Sequence, residues 1–274
     1  MQRYPAPAKL NLFLHVVGRR ADGYHLLQSV FRLIDLCDWI GVEAREDGRI
    51  VRVNDVPGVP AEADLVVRAA QRLREHAGVA HGANIVVDKN IPVGGGLGGG
   101  SSDAATTLMA LNHLWGLGLP REELAFLGLQ LGADVPFFLG GGNAWVEGIG
   151  DVLTPISLPP AWYVVISPGV AVQTAQIFAA PELTRDSKTI KITSFFTGLG
   201  RNDLEPVVKK RFPQVAQALD WLQGFGEARM SGSGSSVFAA FDSETRARAV
   251  VEQMPREWRG FAVRGLDRHP FPQQ

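Results

Sequence analysis

The sequence has little of several features that would place it in a particular class of protein. It contains one cysteine, Cys37, which excludes an internal disulfide and is expected to be a small apolar core residue. The 27 basic side chains are matched by 28 acidic ones, so the net charge does not favour nucleic acid or an anionic membrane as a partner. The chain also lacks the run of about 20 apolar residues that a membrane-spanning helix needs.

The first 14 residues lack the continuous apolar stretch of a signal peptide, because Pro5, Pro7, Lys9 and Asn11 interrupt it. We therefore expect a cytoplasmic protein, and the absence of an extended apolar helical surface favours a monomer. The 6 histidines show no metal-ligand spacing, so no protein metal site is predicted, and His25 is not a zinc candidate.

The order of predicted elements favours an α+β fold. Strands and helices are mixed without strict βαβ alternation, and a weak shift in composition suggests lobes at residues 1–154 and 155–274 around a shared cleft. A polar, irregular segment at residues 183–200 is predicted to be a mobile loop. Periodicity predicts helices at 63–76, 102–115, 121–131, 203–211, 213–223 and 244–254, and strands at 10–17, 31–42, 85–87, 162–166, 237–241 and 261–266.

A glycine-rich loop at residues 91–103 is the densest signal in the chain. It has glycine at six of the seven positions from Gly94 to Gly100, whereas a plain turn needs one or two. Without side chains in the way, backbone N–H groups can approach phosphate oxygens, and a following helix adds the positive end of its dipole. The loop therefore predicts a polyphosphate site.

Three other classes of protein with a glycine-rich loop are disfavoured by the residues in and around this loop. Gly94, Gly96 and Gly99 match the dinucleotide pattern, but no acidic residue ends a second strand about 20 residues later. The spacing from Gly94 to Gly99 also suits a Walker A loop, yet Gly100 stands where the lysine is required. The sequence motifs of eukaryotic protein kinases are missing.

Three motifs, in the correct order, together resemble the GHMP kinases. They are Ala6-Pro-Ala-Lys-Leu-Asn-Leu12, the glycine-rich loop, and Met230-Ser-Gly-Ser-Gly-Ser-Ser-Val-Phe-Ala239. The resemblance covers essentially the whole chain. It implies a two-lobed fold with an N-terminal nucleotide-binding lobe, a C-terminal substrate lobe and a cleft between them. It also implies a small-molecule kinase that uses ATP and Mg²⁺.

Further segments are similar to the branch of this family that acts on 4-diphosphocytidyl-2-C-methylerythritol. They lie at residues 7–14, 20–25, 94–100, 132–136 and 201–206, and 20–25 separates this branch best from the others. The resemblance implies phosphorylation of the substrate's 2-hydroxyl in the non-mevalonate isoprenoid precursor pathway. The alternatives are a homoserine or mevalonate type of kinase, or a family member that binds ligands without catalysis.

Lys9 and Asp134 are the predicted catalytic residues. Asp134 lies between apolar neighbours, where an unpaired carboxylate is costly, and it is the candidate acceptor of the hydroxyl proton. The alternative is a turn or cap before Pro136. An ammonium on Lys9 near this carboxylate would stabilise negative charge on the reacting oxygens, and Asn11 would orient the substrate hydroxyl.

The resemblance also implies the binding residues. Tyr24 and Phe178 would enclose the cytosine, His25 would bind its edge, and Thr174 would help to hold the substrate. The 231–236 turn is expected to support the floor of the site. The nucleotide set is Lys89, Pro92, Val93, Gly94, Gly95, Gly96, Leu97, Gly98, Gly99, Gly100, Ser101 and Ser102. Lys89 is included because it lies just before the loop, and the alternative for it is a solvated surface lysine.

Four positions in or near this set carry open questions. Ser101 and Ser102 would meet phosphate or magnesium, but Ser102 and Asp103 could instead be the N-cap of the helix that follows. At Asp64 the family pattern predicts an asparagine in contact with adenine, and an aspartate changes the hydrogen-bond donors available there. The adenine contact at this position is therefore in doubt.

Overall fold

The computed structural model describes residues 1–272 of the chain. Its strands are β1 (Gln2–Arg19), β2 (His25–Arg45), β3 (Ile50–Arg52), β4 (Gly82–Asp88), β5 (Ala144–Glu147), β6 (Val152–Pro155), β7 (Trp162–Ser167), β8 (Arg229–Met230), β9 (Val237–Phe241) and β10 (Arg259–Leu266). Its helices are α1 (Leu65–Ala77), α2 (Gly99–Leu114), α3 (Arg121–Leu129), α4 (Val135–Gly140), α5 (Thr174–Phe178), α6 (Ile192–Phe196), α7 (Glu205–Arg211), α8 (Pro213–Gln223) and α9 (Glu244–Glu252).

These strands form one continuous sheet around the long strand β2. Its order is β3-β4-β2-β10-β7-β9-β8, with β1 and β5 also paired to β2 and β6 paired to β5. The sequence predicted only short pieces of β1 and β2, at 10–17 and 31–42. Register shifts in their pairing, such as the one between Pro7 and Ala8, break the alternation on which that prediction depends.

Two large apolar clusters lie against this sheet. Leu73 of α1 and Leu108 of α2 are buried in the first cluster, and Leu222 of α8 is buried in the second. The clusters do not divide cleanly by position in the chain. Val16 of β1 lies in the second cluster, while Phe271 lies in the first, so the boundary near residue 155 stays a prediction.

The helix that follows the glycine-rich loop begins earlier than the sequence suggested. It starts at Gly99 rather than Ser102, and its N-cap is Gly98 with a φ of 72°. The alternative that Ser102 and Asp103 form the N-cap is therefore wrong. The start was missed because glycine has low helix propensity, whereas here the buried residues of α2 that follow stabilise the first turn.

Several short elements were not predicted. Helices α4, α5 and α6 and strands β3, β5 and β6 have too few residues to show a period. Helix α6 lies inside segment 183–200, where the ring of Phe195 is 5.7 Å from that of Phe13. The prediction that this segment is irregular is thus corrected in part, and its mobility remains a prediction. No helix within residues 1–272 has the length and apolar character needed to cross a membrane.

Candidate active site

A cavity of about 980 Å³ opens beside the glycine-rich loop. Its walls come from the loop itself, the turn before β2, the segment leading into α4, and α5. The cavity brings together nearly all of the predicted site residues. Those that line it are Lys9, Asn11, Tyr24, His25, Lys89, Pro92, Val93, Gly94, Gly95, Gly96, Leu97, Gly98, Gly99, Gly100, Ser101, Asp134, Thr174 and Phe178.

The glycines of the loop are required by both conformation and space. Gly94, Gly96 and Gly98 have φ values of 69°, 73° and 72°, which side chains disfavour. A Cβ at Gly96 would collide with the carbonyl oxygen of Ser231. A Cβ at Gly98 would lie 3.0 Å from the Phe138 ring. The loop is therefore held tightly between α4 and the turn at residues 231–236, which we call the C-terminal glycine turn.

The N-terminus of α2 faces the cavity. Gly99, Gly100 and Ser101 line it, and the first N–H groups of a helix have no partner within the helix. Together with the helix dipole they form an anion-binding end. Ser102 does not line the cavity: it is buried, and its Oγ has no hydrogen-bond partner in the described part of the chain.

Lys9 and Asp134 meet at the floor of the cavity. Their Nζ and Oδ2 atoms are 3.5 Å apart, with the lysine side chain 5% exposed and the aspartate 32% exposed. The Lys9 ammonium also lies 4.3 Å from the centre of the Phe31 ring. Asp134 stands at the N-cap position of α4 but makes no capping hydrogen bond, so its carboxylate is available for a ligand.

Burial lowers the pKa of Lys9, and attraction to the Asp134 carboxylate partly opposes this shift. A buried ammonium is easier to deprotonate because the charged form loses its hydration. Asn11 counters this loss, since its Oδ1 accepts a hydrogen bond from Lys9 Nζ. The backbone N–H of Lys9 donates to Leu97 O at 2.9 Å. The predicted catalytic lysine is therefore tied directly to the glycine-rich loop.

Asn11 is buried, and the structure shows it supporting other site residues. Its Nδ2 donates to Ser29 Oγ at 3.1 Å, and its backbone N–H donates to Ser231 Oγ at 3.1 Å. The amide therefore orients Lys9. The predicted contact of Asn11 with the substrate hydroxyl remains a prediction.

The C-terminal glycine turn lies directly beneath the glycine-rich loop. The Ser231 hydroxyl donates to Gly96 O at 3.0 Å, and the backbone N–H of Ser236 donates to Gly95 O at 3.0 Å. Asn202 holds the turn from below by donating to Met230 O at 2.9 Å and to Gly232 O at 2.7 Å. These contacts agree with the expected supporting role of the turn.

Lys89 is engaged by two buried carboxylates. Its Nζ donates to Asp103 Oδ2 at 2.7 Å and also to Asp38, whose other oxygen accepts from the backbone N–H groups of Asn90 and Ile91. Burial raises the pKa of Asp103 to about 8, with Lys89 opposing the rise and Asp38 adding to it. Asp38 was not found from the sequence, since nothing in Leu-Cys-Asp-Trp signals a partner about 50 residues away.

Asp64 lines the cavity, as do Val56 and Val59. Its carboxylate caps α1 by accepting from Val66 N at 3.1 Å and forms an ion pair with Arg52 at 2.6 Å. The departure from asparagine is thus balanced by a neighbouring cation. Both carboxylate oxygens are engaged by the protein.

The aromatic residues predicted for cytosine form another part of the cavity wall, which we call the aromatic end. The rings of His25 and Phe178 are 4.9 Å apart and tilted by 34°, and Tyr24 on the facing turn is 60% exposed. Thr174 begins α5, one helical turn before Phe178, and its hydroxyl is 2.6 Å from that of Ser233. The enclosure of cytosine by Tyr24 and Phe178 remains a prediction.

A magnesium ion carried by ATP fits this site. Within residues 1–272 no group of three or more His, Cys, Asp and Glu side chains is placed to hold a metal by itself. Mg²⁺ bound with nucleotide needs only one or two protein oxygens, because phosphates and water supply the rest. The Ser101 hydroxyl would be one such oxygen: it lines the cavity, and its Oγ lies 3.8 Å from the position of a Cβ built on Gly132, two residues before Asp134 in the chain.

Comparison with known protein families gives two matches. The model described as "GHMP kinases N terminal domain" matches residues 64–142, and "GHMP kinases C terminal" matches residues 188–260. The glycine-rich loop and Asp134 lie in the first range, and the C-terminal glycine turn lies in the second.

Similar curated proteins match over nearly their full length. The chain is 60% identical to the 4-diphosphocytidyl-2-C-methyl-D-erythritol kinase of Thiobacillus denitrificans over 98% of this chain and 97% of that protein. It is 58% identical to the kinase of the same name from Ralstonia nicotianae, over 97% of this chain and 94% of that one.

Solved structures agree with this pattern. A crystal structure of 4-(cytidine 5'-diphospho)-2C-methyl-D-erythritol kinase matches with a TM-score of 0.84 and 35% identity, over 96% of this chain and 99% of that one. A mevalonate kinase matches with a TM-score of 0.72 and 16% identity, over 97% of this chain and 100% of that one. The second likeness shows a shared fold alone.

Proposed function

The chain belongs to the GHMP kinase family, and we propose that it transfers the γ-phosphate of ATP to the 2-hydroxyl of 4-diphosphocytidyl-2-C-methyl-D-erythritol. The products are the 2-phosphate of the substrate and ADP. The reaction is an intermediate step of the non-mevalonate isoprenoid precursor pathway. The observation that carries this proposal is the Lys9–Asp134 pair, which lies on the floor of a cavity walled by the glycine-rich loop. The relatives of the same name at 58–60% identity support the choice of substrate.

Phosphoryl transfer depends mainly on positioning and on neutralising negative charge. Asp134 accepts the proton of the 2-hydroxyl as that oxygen attacks the γ-phosphorus, and the bond from the γ-phosphorus to the bridging oxygen of ADP breaks. The Lys9 ammonium, 3.5 Å from the carboxylate, stabilises the charge on the attacking oxygen and the transferring group. Asn11 holds that ammonium in place.

The glycine-rich loop and the first turn of α2 bind the phosphates of ATP. Their exposed N–H groups donate to phosphate oxygens, and the three glycines with positive φ bring the backbone close enough to do so. When bound, Mg²⁺ would neutralise charge on the phosphates of ATP, and the Ser101 hydroxyl is the group that would help to hold it. Lys89 approaches the nucleotide from the entry of the loop.

The cytidine end of the substrate occupies the aromatic end of the cavity. Tyr24 and Phe178 supply aromatic faces for stacking, while His25 binds the edge of the base. Thr174 contributes a hydroxyl beside the diphosphate path. A kinase for homoserine or mevalonate would have no use for this aromatic end.

We also propose a cytoplasmic monomer. The single cysteine, Cys37, cannot form an internal disulfide, which suits a reducing compartment. Size-exclusion chromatography with light scattering tests the oligomeric state.

The decisive experiment supplies purified protein with ATP, Mg²⁺ and 4-diphosphocytidyl-2-C-methylerythritol, with homoserine and mevalonate in parallel reactions. ADP release and product mass are followed together. Phosphorylation of the cytidyl substrate alone is the expected result. Phosphorylation of homoserine or mevalonate instead would support a kinase activity but contradict the proposed cytosine site. No ADP release with any of the three alcohols would contradict the proposed catalytic activity.

A further inference from the structure

Arg185 connects the wall of the aromatic end to the segment between α5 and α6. Its Nη2 donates to Phe178 O at 2.9 Å and to Ala180 O at 2.7 Å, and its Nη1 donates to Leu183 O at 3.0 Å. The remaining donor, Nε, points at His25 Nε2 across 3.1 Å. A guanidinium with four acceptors is fixed in position, so the atom facing His25 is fixed as well.

This contact determines which nitrogen of His25 carries hydrogen. Arginine has donors only and stays charged, so His25 Nε2 must offer its lone pair to Arg185. A neutral imidazole then carries its hydrogen on Nδ1. His25 lines the cavity, and its Nδ1 has no hydrogen-bond partner within residues 1–272, so this N–H is available to a ligand.

We propose that Arg185 is a positioning residue that holds His25 as a neutral Nδ1–H donor and thereby selects a cytosine over a uracil base. The proposal rests on the proposed function, because it concerns the base of that substrate. Cytosine N3 has a lone pair and accepts a hydrogen bond, whereas uracil N3 carries hydrogen and would face the donor of His25. A site that is built to make a hydrogen bond rejects an analogue that cannot make it.

The charged surroundings of His25 reinforce this arrangement. Burial lowers the pKa of His25, and the positive charges of Arg185 and Arg19 lower it further. Within the described chain these two arginines are the charged groups found to act on the ring. Without Arg185 the ring can take either neutral tautomer and is easier to protonate, so its interaction with the base becomes dependent on pH.

The first test compares Arg185→Gln with the unchanged enzyme and with Arg211→Gln. Arg211 on α7 binds Glu182 and Gln176 O and makes no contact with His25, so it controls for the loss of a structural arginine in this region. For Arg185→Gln we expect at least a tenfold rise in KM for the cytidyl substrate, an unchanged KM for ATP, and weaker discrimination against the uridine analogue. For Arg211→Gln we expect none of these changes.

A double substitution separates positioning from general support. If Arg185 acts through His25, the losses of discrimination in Arg185→Gln and His25→Gln should not add in the combined variant. Additive losses would overturn the proposal. So would a KM for the cytidyl substrate in Arg185→Gln that matches the unchanged enzyme. Arg185→Lys covers the case in which Arg185→Gln folds poorly, and because lysine cannot reproduce the fork of donors, it should still lose discrimination.

The second test observes the tautomer directly and needs no turnover. Imidazole ¹⁵N shifts are recorded on histidine-labelled protein, and the His25 signals are identified by their disappearance in His25→Gln. Hydrogen on Nδ1 in the unchanged chain, and a mixture of tautomers in Arg185→Gln, are expected. Hydrogen on Nε2 in the unchanged chain would overturn this inference, whereas absence of turnover with a correct tautomer would overturn only the proposed function.

Discussion

Lys9 and Asp134 are unequal partners in the site. The lysine is almost completely enclosed and is held by Asn11 and Phe31, whereas the aspartate is one-third exposed to the cavity. Such an arrangement suits a fixed cation beside a carboxylate that must contact a ligand. It also predicts that the two stages of the reaction, nucleotide binding and phosphoryl transfer, respond differently when the carboxylate is removed.

Asp134→Ala should abolish turnover and leave ATP affinity within a few-fold of the unchanged enzyme. The carboxylate acts in the transition state, so its loss affects rate more than ground-state binding. Turnover is measured by ADP release, and ATP affinity by calorimetric titration. Asp134→Asn, which keeps the shape, is the matched variant and should be equally inactive. A large loss of nucleotide affinity in both variants would indicate a structural role for Asp134.

Asp103 gives a prediction about stability and pH. Burial raises the pKa of its carboxyl to about 8 in the folded protein, well above the ordinary value, so the folded state keeps a proton that the unfolded state releases. The resulting contribution to stability is full below about pH 4 and is lost as the pH rises toward about 8. Asp103→Asn removes this dependence.

The free energy of unfolding of Asp103→Asn minus that of the unchanged protein should therefore increase between about pH 5 and about pH 8, because the unchanged protein loses stability over this range and the variant does not. Urea unfolding at several pH values measures it. Asp242→Asn is the control: Asp242 is exposed, and its hydrogen bond to Arg246 lowers its pKa, so its difference should be flat above about pH 5. If the difference in free energy of unfolding between Asp103→Asn and the unchanged protein does not vary with pH, Asp103 is ionised in the folded protein.

At the scale of elements, the glycine-rich loop was predictable and its supports were not. The loop has six glycines in seven positions, far more than a plain turn requires, so composition alone located it. Lys89 was predicted as a nucleotide residue, but its hydrogen bonds to the carboxyl groups of Asp38 and Asp103 join the residue after β4 to strand β2 and helix α2. Contacts of that kind depend on the folded sheet and leave no local pattern.

The same limit applies to the predicted elements. Helices α7 and α8 and strand β9 were found almost to the residue, because Pro213 separates the two helices and β9 is a continuous apolar run that follows a glycine-serine turn. The predicted start of helix α2 was three residues too late, since the first turn of the helix begins with two glycines. Arg185 was missed altogether, because its role depends on His25, which lies 160 positions earlier in the chain.

The loop predicts a sharp contrast between two glycine substitutions. Gly96→Ala places a side chain on a residue whose backbone φ is 73°. The new Cβ would also collide with the carbonyl oxygen of Ser231, so the loop must move. We expect at least a tenfold rise in KM for ATP. Gly116→Ala is the matched control, because Gly116 has a φ of 63° but open space around it. It should cost about 1 kcal/mol of stability from backbone strain and leave the KM for ATP unchanged.

These outcomes would separate strain from collision. If both substitutions raise the KM for ATP equally, the effect comes from general loss of stability, and the close contact between the two glycine turns has no part in nucleotide binding. Thermal unfolding of both variants, measured alongside the kinetics, distinguishes this case.

At the scale of the whole molecule, the sheet joins both halves of the chain. Strand β10 pairs with β2 through Gly265 and Leu266 and with β7 along its length. The ring of Phe271 stacks on Tyr4 at 4.8 Å, so the end of the described chain packs against its beginning. The active site is also built from both halves of the chain, since Ser231 contacts both Asn11 and Gly96.

This continuity predicts a single cooperative unfolding transition, even though the sequence suggested lobes at 1–154 and 155–274. Leu73→Ala in the first apolar cluster and Leu222→Ala in the second each remove a fully buried side chain and should cost about 2–5 kcal/mol. Because the clusters share one sheet, each substitution should lower the one transition seen by calorimetry, and saturating ATP should raise it in both variants. Two transitions, with each substitution lowering only its own, would show instead that the lobes unfold separately and that the strands joining them transmit little stability.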